Sequence, residues 1–78
     1  MSVFDTAAVG KGFPDLVVGW RGLNFLVEIK DGDKPPSARK LTVDEQAFHD
    51  AWGGEVIVAD NPEDAVVQVI CAERRARG

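Results

Sequence analysis

Three charged residues in the first half of the chain can do chemistry together. An aspartate follows a proline at Pro14-Asp15, and a glutamate stands two residues before a lysine at Glu28-Ile29-Lys30. Two carboxylates and one ammonium in this order suit hydrolysis of a phosphodiester with a divalent cation. Asp15 and Glu28 offer hard oxygens and the Ile29 main-chain carbonyl offers another. Mg²⁺ or Mn²⁺ takes such ligands, commonly one or two carboxylates completed by water and substrate phosphate. A cation held there polarises the phosphoryl group and lowers the pKa of a bound water. Lys30 orients that water or stabilises the charge that develops. By themselves Glu28 and Lys30 also read as a same-face ion pair on an exposed strand. Their apolar neighbours Phe25, Leu26, Val27 and Ile29 point instead to a central, buried strand, where an unpaired charge is costly.

Two strands joined by a tight turn must position these groups. Residues 15–20 and 23–30 are rich in β-branched, aromatic and aliphatic side chains, with Arg21-Gly22 between them. A turn centred on Arg21-Gly22 sets Trp20 against Leu23, Val17 against Leu26 and Asp15 against Glu28. Side chains alternate between faces, so Asp15, Glu28 and Lys30 share a face near one end of the sheet. Opposed Cβ atoms lie about 4.5–5.5 Å apart, close enough to share a cation, and a one-residue slip would separate the two acids. Arg21 suits the positive φ of a two-residue turn poorly, and a four-residue turn with the same centre serves equally well.

The rest of the chain reads as further α/β elements. Val3-Phe4 is a candidate short strand, and 8–12 reads as a loop. The Pro- and Gly-containing stretch 31–37 is a second loop. Thr42 and Glu45 form a capping-box pattern for a helix running to about Trp52, whose Val43, Ala47, Phe48, Ala51 and Trp52 follow helical spacing. That spacing places Trp52 in the core. Gly53-Gly54 ends the helix, and residues 55–59 form a third strand. Asn61-Pro62-Glu63-Asp64 opens a second helix with a cap, a first-turn proline and acids. It fades into an Arg-rich tail. The order strand, strand, helix, strand, helix predicts an α/β fold whose mixed sheet joins an antiparallel hairpin to a parallel strand through a right-handed crossover. One domain spans 1–78, with a core at about 9–70 and the tail at 71–78.

Composition narrows the class. The chain has 78 residues, one cysteine and a net charge of −4. One cysteine permits no internal disulfide and no Cys/His metal spacing, and a free Cys71 fits a reducing, cytoplasmic compartment. No apolar run approaches the roughly 20 residues of a membrane span. The acidic balance argues against generic coating of DNA, although bound cations restore positive charge where it is needed. Lys34, Arg39 and Lys40 cluster with Lys30 after the second strand and are candidate phosphate contacts.

Gly12-Phe13-Pro14-Asp15-Leu16 and Val27-Glu28-Ile29-Lys30 resemble the two halves of the PD-(D/E)xK nuclease signature. More narrowly, these segments, Leu41-Thr42 leading to Gln46, His49, and Trp52-Gly53-Gly54 before a Val-rich strand resemble a small stand-alone virus-type replication-repair nuclease (VRR-NUC) domain. The resemblance spans about 9–66 and implies a restriction-endonuclease-like fold. It also implies Mg²⁺- or Mn²⁺-dependent cleavage of flap or junction DNA in repair, by a homodimer in a bacterial or phage-infected cell. It assigns Gln46 to the helix after the catalytic strand, in reach of a metal-bound water or scissile phosphate. His49, three positions on, is a candidate DNA contact or a structural histidine. Such domains usually begin with a glutamate-bearing helix, whereas no glutamate precedes Glu28 here. An uncovered sheet face invites a second copy. The competing expectation is a catalytically inactive nuclease-like module that binds DNA or a protein partner.

Overall fold

The computed structural model describes residues 1–38 and 40–78. Four strands, β1 (Ser2–Asp5), β2 (Leu16–Trp20), β3 (Leu23–Ile29) and β4 (Val56–Ala59), form one sheet in that order. Helix α1 (Val43–Ala51) lies between β3 and β4, and α2 (Pro62–Arg77) follows β4. β1–β2 and β2–β3 are antiparallel and β3–β4 is parallel. This is the mixed α/β sheet expected from the sequence. Val3-Phe4 falls within a real strand, which adds β1 to one edge.

The hairpin has the expected register, with Trp20 opposite Leu23, Val17 opposite Leu26 and Leu16 opposite Val27. The turn is the two-residue kind, with positive φ at both Arg21 (51°) and Gly22 (82°). Arg21 accepts this unfavourable backbone while its guanidinium lies 5.2 Å from the Trp20 ring centre and 4.0 Å from the Glu73 carboxylate.

One face of the sheet carries the core. Val18, Phe25, Val27, Ile57 and Ala59 pack against Ala65, Val69 and Ala72 of α2. Burying each aliphatic side chain of valine size contributes about 1.5–3 kcal/mol. Asn61 caps α2 by accepting the Asp64 N–H at 2.8 Å, and Pro62 occupies the first turn. The tail does not fade: α2 continues to Arg77 with Ala72 and Glu73 buried, and Arg77 folds back onto Glu73 at 2.8 Å. That contact lowers the Glu73 pKa, aided by the fields of Arg77, Arg21 and Arg74 against the effect of burial.

The other face is covered only in part. Leu26 and Glu28 are buried there, while Phe4 and Val58 are exposed. Helix α1 buries no residue fully. Phe48 meets the Phe13 ring edge-on at 5.3 Å and stacks on Trp52 at 5.1 Å. Trp52 remains 47% exposed, which corrects its expected place in the core. The helix ends one residue earlier, and Trp52 turns to an extended backbone (φ −77°, ψ 125°) that lays its indole over Phe48 and beside Gly54. Among the described residues, no helix is long and apolar enough to cross a membrane.

Candidate active site

Asp15 stands one residue before the first pair of the β2–β3 ladder, on the face that carries Glu28 and Lys30. Pro14 is fully buried, and continuing the register puts it opposite Ile29. A proline has no N–H to offer the Ile29 carbonyl. The Ile29 N–H is taken instead by the Asp15 carboxylate, at 3.2 Å from Oδ2. The N–H and C=O of a strand residue point to the same edge, so the Ile29 carbonyl projects toward Asp15. Thr6 secures this corner: its hydroxyl donates to the Pro14 carbonyl at 2.8 Å and its N–H to the Asp15 carbonyl at 2.7 Å.

Gly12 explains how the corner reaches α1. Its φ is +80°, and a Cβ there would fall 2.3 Å from the Asp44 carbonyl oxygen. Only glycine lets the chain ahead of Pro14-Asp15 pack on the first turn of the helix. That turn carries Glu45, a residue read from sequence only as a capping partner. Thr42 Oγ1 accepts the Glu45 N–H at 3.2 Å and Glu45 Oε1 accepts the Thr42 N–H at 2.8 Å. The same Oε1 lies 2.7 Å from Lys30 Nζ, while Glu28 Oε1 lies 3.5 Å from it. The site is therefore Asp15, Glu28, Lys30 and Glu45. Nothing in the spacing of Glu45 distinguishes a site residue from an ordinary cap.

Electrostatics separate the two glutamates. Glu28 is 3% exposed, and its buried Oε2 accepts from no N–H or O–H donor. Burial, then hydrogen bonding to Glu45 and the nearby charges of Asp15 and Glu45, push its pKa up to about 7 against the pull of Lys30. Burial acts on Glu45 in the same sense. The Lys30 ammonium and the Thr42 N–H outweigh it and hold Glu45 at about 2. For Lys30, burial opposes the charge, and the two carboxylates override burial and raise its pKa. A proton shared by the two acids therefore resides on Glu28, and a neutral Glu28 is the cheaper buried form without a cation.

Gln46 is exposed and donates to Asp50 Oδ1 at 2.9 Å, so it does not join the four residues. His49 is one helical turn beyond Glu45 on the same side of α1, with a buried Nε2 that lacks a partner. Lys34 and Lys40 are exposed on the segment that leaves Lys30. Arg39 lies outside the described residues. A cavity of about 180 Å³ on the opposite face is lined by apolar residues, among them Met1, Leu16, Ile29 and Val69, and holds nothing that can react.

The donors fit a hard cation. Asp15, Glu28 and the Ile29 carbonyl are all oxygen ligands, and a buried carboxylate oxygen without a donor is the feature a cation would satisfy. Among the described residues, no three His, Cys, Asp or Glu side chains converge as a metal cage. The fit is thus to an ion held by two carboxylates, a main-chain oxygen and water, the manner usual for Mg²⁺. No family, curated relative or solved structure matches the chain.

Proposed function

We propose that this chain is a Mg²⁺- or Mn²⁺-dependent DNA endonuclease of the PD-(D/E)xK kind, resembling the VRR-NUC domain. The observation that carries the reading is Glu28. A carboxylate 3% exposed, with an oxygen that no donor reaches, is expensive to bury. Folding does not require it, since an apolar side chain would suit a central strand better. A cation beside Asp15 would satisfy that oxygen, which supports the reading.

Asp15, Glu28 and the Ile29 carbonyl would hold the ion, which supplies charge neutralisation at the phosphate and a more acidic water. Asp15 is oriented by the Ile29 N–H. Lys30 presents its ammonium on the same face to orient the attacking water and stabilise negative charge on the phosphorane. Lys34, Arg39 and Lys40 contact flanking phosphates. Flap or junction DNA as substrate, and work in DNA repair in the cytoplasm of a bacterial or phage-infected cell, follow from the sequence resemblance. So does a homodimer. A two-fold dimer would present two sites to the branches of one substrate.

A second reading, a nuclease-like module that binds without cutting, is favoured by the contact of Lys30 with two carboxylates, which leaves its charge already matched. Both readings meet one test. Labelled single strand, duplex, flap and four-way junction are incubated with the protein in Mg²⁺, Mn²⁺ or EDTA, beside Glu28→Ala. Metal-dependent cutting lost in Glu28→Ala supports the nuclease. Metal binding without cutting of any substrate supports the binding module.

A further inference from the structure

We propose that Glu45 is a positioning residue for Lys30: its Oε1 clamps the lysine ammonium to the first turn of α1 and holds it nearer to Glu45 than to Glu28. The consequence for metal binding rests on the nuclease reading above. The clamp itself rests on geometry alone.

One oxygen makes both contacts. Glu45 Oε1 accepts the Thr42 N–H at 2.8 Å and Lys30 Nζ at 2.7 Å, and Thr42 Oγ1 holds the Glu45 N–H in return. The capping box therefore sets the glutamate side chain before lysine arrives. Lys30 is drawn from a flexible stem into one arrangement with its side chain 15% exposed. It approaches Glu45 more closely than Glu28, at 2.7 against 3.5 Å. The charged groups facing it come from two elements, Glu28 on β3 and Glu45 on α1. Without the Glu45 charge, the ammonium is left with Glu28 as its near anion. It then neutralises the carboxylate that would bind the cation and leaves the position from which it would serve the phosphate. Glu45 thus keeps two positive groups apart on one acid-lined face.

Glu45→Gln is the discriminating variant. Glutamine at this position preserves the capping box, so the helix and the fold persist while the charge facing Lys30 is removed. Three readouts follow. In ¹⁵N-edited spectra the Lys30 ammonium signal, sheltered from water exchange by the clamp, broadens in Glu45→Gln, whose amide oxygen accepts without a charge, and is lost in Glu45→Ala, which removes the acceptor. Calorimetry with Mn²⁺ alone gives binding about tenfold weaker in Glu45→Ala, the scale of one lost hydrogen bond to a charged group. On flap DNA, kcat falls while KM for DNA holds. An unchanged Lys30 signal with unchanged Mn²⁺ affinity would overturn the proposal and leave Glu45 as a helix cap. If the wild type binds no Mn²⁺ and cuts nothing, yet the variant still frees Lys30, the clamp stands and the nuclease reading falls.

Discussion

Replacing Glu28 by glutamine tests the cost of the buried carboxylate directly. The folded-state pKa is raised from 4.5 to about 7. Below pH 4.5 the group is protonated in both folded and unfolded chains, so it costs nothing. Between 4.5 and about 7 the unfolded chain ionises and the folded one resists, so stability falls as pH rises. Above about 7 the loss is complete. At about 1.4 kcal/mol for each tenfold change in acidity, it amounts to roughly 3 kcal/mol. Glu45 moves the other way, to about 2, and its contribution is lost only as pH falls below 4.5, outside this window. In a domain this small 1 kcal/mol moves Tm by about 4–8 °C. The metal-free wild type should therefore lose at least about 10 °C between pH 5 and pH 8 relative to Glu28→Gln, in thermal melts followed by circular dichroism in EDTA. Glutamine keeps the shape and carries no titrating proton. Mn²⁺ at a hundred times its dissociation constant should return about 2.7 kcal/mol to the wild type at pH 8 and nothing to the variant. Parallel Tm curves for the two proteins across this range would refute the reasoning, because Glu28 would then ionise as readily in the fold as outside it.

Other substitutions probe the remaining parts. Lys30→Ala should lower cleavage roughly 10²–10³-fold, the usual loss on removing one donor to a developing charge, while calorimetry still detects Mn²⁺ binding. Gly12→Ala forces a Cβ to within 2.3 Å of the Asp44 carbonyl at positive φ, so α1 must shift. Denaturant melts should show a loss of about 2–4 kcal/mol together with reduced cleavage. Gly53→Ala, where a Cβ meets nothing within 4 Å, should stay within about 0.5 kcal/mol of wild type. Reversing charge at Lys34 and Lys40 should flatten the dependence of DNA affinity on salt by roughly one unit of slope for each phosphate that is no longer neutralised, measured by fluorescence anisotropy.

What was legible in the sequence was local or periodic. The hairpin register followed from apolar alternation about Arg21-Gly22, because a slip would turn every side chain to the wrong face. Both helix starts followed from the cap chemistry of Thr42 with Glu45 and of Asn61 with Pro62. Continuing the hairpin register one residue past Leu16–Val27 brings Asp15 to Glu28, whose pKa its charge raises. Trp52 was misplaced because helical spacing predicts a face but not where a helix stops, and a backbone turn after Ala51 carried the ring outward. The Arg-rich tail carries a solvent-like composition, yet Glu73 found Arg77 one turn on and Ala72 joined the core. The Glu73–Arg77 pair is local to the helix, whereas the burial of Ala72 depends on where α2 crosses the sheet.

Local chemistry and fixed periods set the strands, the two capped helices, the parallel crossover and the placing of Asp15, Glu28 and Lys30 on one face. Each of these depends on neighbours within a few residues or on a fixed period. Tertiary structure alone decided the charge states at the site. It buried the Glu28 oxygen without a donor, brought Gly12 against the backbone of α1, and delivered Glu45 to Lys30 across a loop. Such effects depend on the distance between elements remote in the chain, and a carboxylate's pKa responds to the water and charge around it in space.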